Sequence, residues 1–258
     1  MHYREYPPHP ALATYVDCMW AARAPALAHA HRVLPDNCVD ILWQDGGQPG
    51  FAVGMMSSSI VVASVRPVRT LAVRFKPGMA GLFLATPLQA LTDQRADVDV
   101  LWGRSDADRL ADALWTSDAP ERAQLALIEQ ELVRRLQAGG ATTGRSGGPA
   151  LVQRALKALD GGGGALRVEH LAAGLGVSRQ HLAAQFREHV GLSPKLFARI
   201  CRFRHATAAI KAAPADVPDW AQLALECGYF DQSHMIHDFR ELAGATPERF
   251  HFSNPAAV

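Results

Sequence analysis

The chain has 258 residues, 48% of them hydrophobic, with 26 Lys and Arg against 25 Asp and Glu and a formal net charge of +1. That length accommodates two ordinary globular cores. The near-neutral charge argues against a generic polyanion binder, and four scattered cysteines (Cys18, Cys38, Cys201 and Cys227) make neither a CxxC metal pair nor a disulfide framework.

No apolar run approaches the roughly 20 residues that cross a bilayer, and the opening residues lack the basic-then-apolar order of a secretory signal. A cytoplasmic protein without a membrane partner is therefore expected.

From the start of the chain to about Arg74, short apolar segments are broken by Pro, Gly and Ser, which is a strand-like pattern. Segments 14–22, 32–34, 38–44, 51–55, 60–65 and 70–75 are the candidates. In the last, Leu71, Val73 and Phe75 alternate with Ala72, Arg74 and Lys76, so one face is apolar. Six strands without helical interruption suggest a small antiparallel barrel or sandwich.

The pattern turns helical after Pro77, with short helices expected at 79–85 and 87–92 and longer ones at 106–115 and 120–137. In the last of these Leu125, Ile128, Leu132 and Leu136 make a stripe at helical spacing. The stripe suits either packing within its own domain or a homodimer interface. Residues 138–149 are rich in Gly, Ser and Thr and read as a flexible linker. The expected division is a β-rich sensor or dimerisation domain at 1–137 and an all-helical domain at 150–253, an α+β protein as a whole.

Helices are expected at 150–159, 168–175, 178–190, 193–212, 219–226, 232–242 and 247–250. Leu171, Ala172 and Leu175 form an apolar stripe that stops at Gly176, and Ser178 is placed to cap the next helix. Leu182, Phe186 and Val190 turn inward, leaving Arg179, Gln180, Ala184 and Arg187 outside. This is the layout of a DNA-reading helix-turn-helix. The helix from Ser193 to Ala212 adds Lys195, Arg199, Arg202, Arg204 and Lys211 with no acid among them, a run that suits a polyanionic partner.

The unit repeats. Leu171 and Gly176 recur 52 residues on as Leu223 and Gly228. His181, Phe186, Gly191, Ser193-Pro194 and Phe197 recur 53 residues on as His234, Phe239, Gly244, Thr246-Pro247 and Phe250, so one residue is inserted in the second turn. Two helix-turn-helix units joined by a rod of about 30 Å would meet successive major grooves of one double-stranded DNA face.

Residues from about Ala150 to Phe250 resemble the DNA-binding domain of the AraC/XylS family of bacterial transcription regulators. The resemblance rests on Leu171-Ala172, Gly176-Val177-Ser178, Leu182, Phe186, Gly191-Leu192-Ser193-Pro194, Phe197 and Arg204. In the second unit it rests on Ala224, Cys227-Gly228-Tyr229, Gln232-Ser233, Phe239-Arg240 and Gly244-Ala245-Thr246-Pro247. It implies a seven-helix domain with two helix-turn-helix units and a sequence-specific regulator that meets RNA polymerase if it activates. Base-edge contacts are implied at Gln180 and Ala184, and at Gln232, Ser233 and His237. Because Ala184 carries no hydrogen-bonding group, reading by the first helix leans on Arg179, Gln180 and Gln185. Lys195, Arg199, Arg202 and Arg240 are the expected phosphate contacts.

Segments His31-Arg32-Val33-Leu34-Pro35-Asp36, Val39 to Trp43 and Val73 to Gly78 resemble an uncharacterised domain often fused to such DNA-binding halves. The resemblance implies a sensor or dimerisation role.

Within this half Arg74 is a candidate contact for an anionic small-molecule effector or else the partner of an acid such as Asp40. Trp43 is a candidate stacking wall and His31 a further effector contact. His29 and His31 would share a strand face as a metal pair does, or lie exposed in a loop. No Glu and His complete such a set, so no metal and no cofactor are expected. Cys38 reads as a small buried hydrophobe or as a redox sensor. No catalytic constellation appears, so an enzyme is not expected. The alternative is a metal-dependent or catalytic N-terminal domain tethered to DNA.

Overall fold

The computed structural model describes residues 2–26, 28–84, 86–116, 119–140, 150–212 and 218–253. The N-terminal half is built on an antiparallel sheet in the order β1-β2-β7-β4-β5-β8, made from β1 (His2–Tyr6), β2 (Val16–Ala24), β4 (Val39–Gln44), β5 (Phe51–Val53), β7 (Val68–Phe75) and β8 (Arg95–Asp97). A separate two-stranded ribbon pairs β3 (Ala28–Val33) with β6 (Ile60–Ser64).

The sheet is open rather than a closed barrel, with β1 and β8 as its edges. The ribbon continues the β2–β7 pair, whose last partners are Ala24 and Val68. Pro25 and Pro67 flank that junction, and neither has an N–H to carry the ladder on. The expected segments 79–85 and 87–92 are shorter, tighter 3-10 turns at Ala80–Leu82 and Leu88–Leu91.

Alternation gives the sheet two unlike faces. Met19, Ala21, Ile41, Trp43, Leu71, Val73 and Phe75 enter the main core. They are covered by α1 (Val98–Trp102) and α3 (Glu121–Gly140), on which α2 (Arg104–Trp115) packs in turn. Leu125, Ile128 and Leu132 of α3 are fully buried in that core, so the stripe packs within the chain. Among the expected linker residues 138–149, the first three lie in α3 and 141–149 fall outside the described residues.

The C-terminal half consists, among the described residues, of seven helices: α4 (Ala150–Gly161), α5 (Val168–Gly174), α6 (Arg179–His189), α7 (Pro194–Ala212), α8 (Trp220–Glu226), α9 (Gln232–Ala243) and α10 (Pro247–Ser253). Helix α7 is its axis. Phe197, Ile200, Cys201, Phe203, Ala206 and Ile210 are all buried, because the other helices pack around it on several sides.

The two halves share one continuous apolar core. Asn37, which has φ 65° and is 1% exposed, donates Nδ2 to the Phe197 carbonyl in α7 at 3.1 Å. Thr92 Oγ1 donates to the Gly191 carbonyl after α6 at 2.7 Å. Ser59 N–H donates to the Leu242 carbonyl near the end of α9 at 3.0 Å, and the Arg32 guanidinium lies against Gly244. Gly191 and Gly244 are equivalent positions of the repeat, so the N-terminal half grips both units at the same turn.

Candidate nucleic-acid interface

Each turn before the second helix of a unit, α6 or α9, is set by local chemistry. In the first unit Gly176 adopts φ 71°, Val177 N–H returns to the Ala172 carbonyl at 3.0 Å, and Gly176 N–H to that of Ala173 at 3.0 Å. In the second, Gly228 adopts φ 79°, with Tyr229 N–H to Ala224 at 2.9 Å and Gly228 N–H to Leu225 at 3.0 Å. This 6→1 and 5→2 pattern satisfies the last carbonyls of α5 and α8, and glycine supplies the left-handed conformation it needs. Ser178 then caps α6 by accepting from His181 N–H at 3.1 Å, and Asp231 caps α9 by accepting from His234 N–H at 2.7 Å.

The exits match as well. Ser193 Oγ accepts from Leu196 N–H at 3.2 Å and Thr246 Oγ1 from Arg249 N–H at 3.3 Å. Edge-to-face ring pairs hold α6 and α9 each to the helix after it, Phe186 on Phe197 at 5.9 Å and Phe239 on Phe250 at 5.8 Å. The repeat read in the sequence is thus a repeat of packing.

Of the residues expected to read bases, Arg179, Gln180 and Ala184 on α6 are exposed, and Gln185 is half-buried. On α9 Gln232, Ser233 and His237 are exposed. Arg179 lies 3.8 Å from Glu169, and His237 Nε2 lies 3.3 Å from Glu241. Both pairs are surface contacts weak enough for a phosphate or base to displace.

The expected phosphate contacts divide. Lys195 and Arg240 are exposed. Arg199 instead donates Nε to Asp238 Oδ1 at 2.9 Å and also binds Glu241, while Arg202 donates to the Gly164 carbonyl at 2.8 Å and lies over the Tyr229 ring. Those two guanidiniums secure α9 and the α4–α5 turn to the rod and do not face solvent as freely available cations. The sequence run made them look alike, but each has a partner about 40 residues away that no local pattern shows. Arg187, at the end of α6, is exposed as well.

The three effector candidates do not converge. Trp43 is 1% exposed on the inner sheet face, its ring tilted at 43° to that of Trp102 at 5.8 Å. Arg74 is on the opposite face, where Asp40 accepts two hydrogen bonds from it at 3.2 Å, with Asp36 at 3.6 Å and Glu5 at 3.9 Å. His31 is exposed on the separate ribbon. Strand alternation puts Trp43 and Arg74 on opposite sides, so a common site is ruled out. Burial and the Asp36 and Asp40 carboxylates push the Cys38 thiol well above its ordinary range, the reverse of a reactive thiolate.

The His29 side chain lies outside the described residues. Among the described residues no three His, Cys, Asp or Glu side chains gather as a metal site, and no helix is long and apolar enough to cross a membrane.

Residues 4–97 match a family described as a domain of unknown function (DUF6597), and residues 171–251 match one described as a helix-turn-helix domain. No curated protein matches the chain. Among solved structures it is similar to ToxT from Vibrio cholerae, with 9% identity, 98% of each chain covered and a TM-score of 0.49. It is also similar to unsaturated fatty acid-bound ToxT from Vibrio cholerae strain SCE256, with 10% identity, 90% of this chain and 93% of that one covered, and a TM-score of 0.47.

Proposed function

Starting from an AraC-type helix-turn-helix domain at residues 171–251, we infer that the protein is a cytoplasmic transcription regulator that binds double-stranded DNA sequence-specifically through α6 and α9. The observation that carries this reading is the duplicated turn, cap and ring pair, which presents two reading helices from one rod. At 19 residues α7 is roughly 28 Å long, near the roughly 34 Å turn of B-DNA. Gln180 and Gln232 offer amides suited to adenine edges. Arg179, Gln185, Ser233 and His237 supply further polar contacts, and Ala184 leaves room for a thymine methyl. Lys195, Arg240 and Arg187 serve phosphates.

The N-terminal half controls the DNA-binding half through Asn37, Thr92, Ser59 and Arg32, so a small effector or a second copy of the chain bound there acts on both reading helices at once. The experiment is selection of duplexes from a random library by the full-length protein, followed by binding at several salt concentrations. A shared enriched sequence, bound orders of magnitude more tightly than random duplex, is expected. Equal binding to all duplexes would overturn the reading. Transcription by RNA polymerase from the enriched site then assigns activation or repression.

A further inference from the structure

The two units differ by one residue, and the hydrogen bonds locate it. The turn bond runs from Val177 to Ala172 in the first unit and from Tyr229 to Ala224 in the second, an offset of 52 in both partners. The cap runs from His181 to Ser178 and from His234 to Asp231, an offset of 53. Val177 and Ser178 are adjacent, whereas Phe230 stands between Tyr229 and Asp231. Phe230 is the inserted residue, and it is 85% exposed.

Its backbone N–H is satisfied by His234 Nδ1 at 3.4 Å, but its ring has no part in the core. The insertion therefore places a large apolar ring in solvent at the entrance of α9, immediately before the cap and two residues from Gln232. The N-terminal residues of a reading helix are those that contact base edges in the major groove, and Phe is among the side chains that contact the thymine 5-methyl.

We propose that Phe230 is a further specificity-determining residue, reading a thymine methyl at the half-site of the second unit. The second unit then recognises a base the first cannot, because the first has no residue at that point. This rests on the DNA-reading function inferred above.

The test uses the full-length protein and the duplex enriched from the random library. Each thymine of the duplex is replaced in turn by uracil, which removes the methyl and keeps the pairing. The wild-type protein is expected to lose about fourfold in affinity at one position, the size of one buried methyl group. Phe230→Ala is expected to bind the thymine duplex at least that much more weakly, to be indifferent to uracil at that position, to bind random duplex unchanged and to melt at the wild-type temperature.

Wild-type affinity and uracil sensitivity in Phe230→Ala would overturn the proposal and assign the ring to another partner, such as a protein. Equal loss on random duplex would overturn it in favour of backbone contact. A library yielding no enriched duplex overturns the DNA-reading function itself, whereas an enriched duplex bound equally by both proteins overturns the role of Phe230 alone.

Discussion

Arg199 and Asp238 join the rod to the second reading helix: the guanidinium Nε donates to a carboxylate that is 1% exposed, at 2.9 Å. A buried carboxylate tolerates its charge only beside such a partner. Arg199→Ala is therefore expected to destabilise the protein by about 3 kcal/mol, and Arg199→Lys to recover only part of it because the planar fork is lost. Urea unfolding monitored by circular dichroism checks this. A loss below about 0.5 kcal/mol would mean the pair contributes no more than a surface one.

The same guanidinium binds Glu241, and this hydrogen bond holds the Glu241 carboxyl below its ordinary value of 4.5. A depressed pKa in the folded protein contributes stability above 4.5 that is lost as pH falls through the folded value. The difference in urea midpoint between wild type and Glu241→Gln is expected to be largest near pH 7 and to shrink below pH 4. A difference constant across that range would contradict the assignment.

Replacing Gln180 and Gln232 together with Ala is expected to weaken binding to the enriched duplex by at least tenfold, at about 1–3 kcal/mol per lost bidentate contact, with binding to random duplex unchanged. Fluorescence anisotropy on both duplexes measures it. Unchanged affinity for the enriched duplex would remove these two residues from the reading surface.

Arg240→Ala and Lys195→Ala are each expected to lower affinity on every duplex and to reduce the salt slope by about 0.9. Arg202→Ala is expected to lower the melting temperature instead, because its side chain holds the Gly164 carbonyl. A salt slope reduced by Arg202→Ala at constant melting temperature would return that residue to the phosphate contacts.

Gly191 adopts φ 91°, and a Cβ there would stand 2.9 Å from the Leu88 carbonyl. Gly191→Ala is expected to cost about 2 kcal/mol or more, since left-handed backbone alone costs a residue with a Cβ about 1–2 kcal/mol. Thr92→Val, which removes only the hydrogen bond to the same turn, is expected to cost about 1 kcal/mol. Thermal unfolding of both variants tests the order; a larger loss in Thr92→Val would reverse it.

The C-terminal half was legible in the sequence because its determinants are local: Gly176 and Gly228 for the turns, Ser178 for the first cap, and apolar residues at four-residue steps. What escaped depends on distant pairings. Arg199 and Arg202 look like free cations until Asp238 and Gly164 are brought to them by the packing of the helices. In the N-terminal half alternation located the main strands, but the open edge at β1 and the detached ribbon depend on which strands meet. Trp43 and Arg74 are both effector candidates by residue type, but the pleat sets them on opposite faces, and Arg74 meets the alternative partner, Asp40.

The grip on Gly191 and Gly244 has a consequence for the DNA. Two reading helices fixed to one frame cannot follow a base pair inserted between their half-sites, which turns the second half-site by about 34° around the duplex axis, since B-DNA completes a turn in about 10–10.5 base pairs. A single-base insertion should thus cost the protein one whole half-site. On the proposed reading, affinity then depends on the phase between the two half-sites as well as on their sequences.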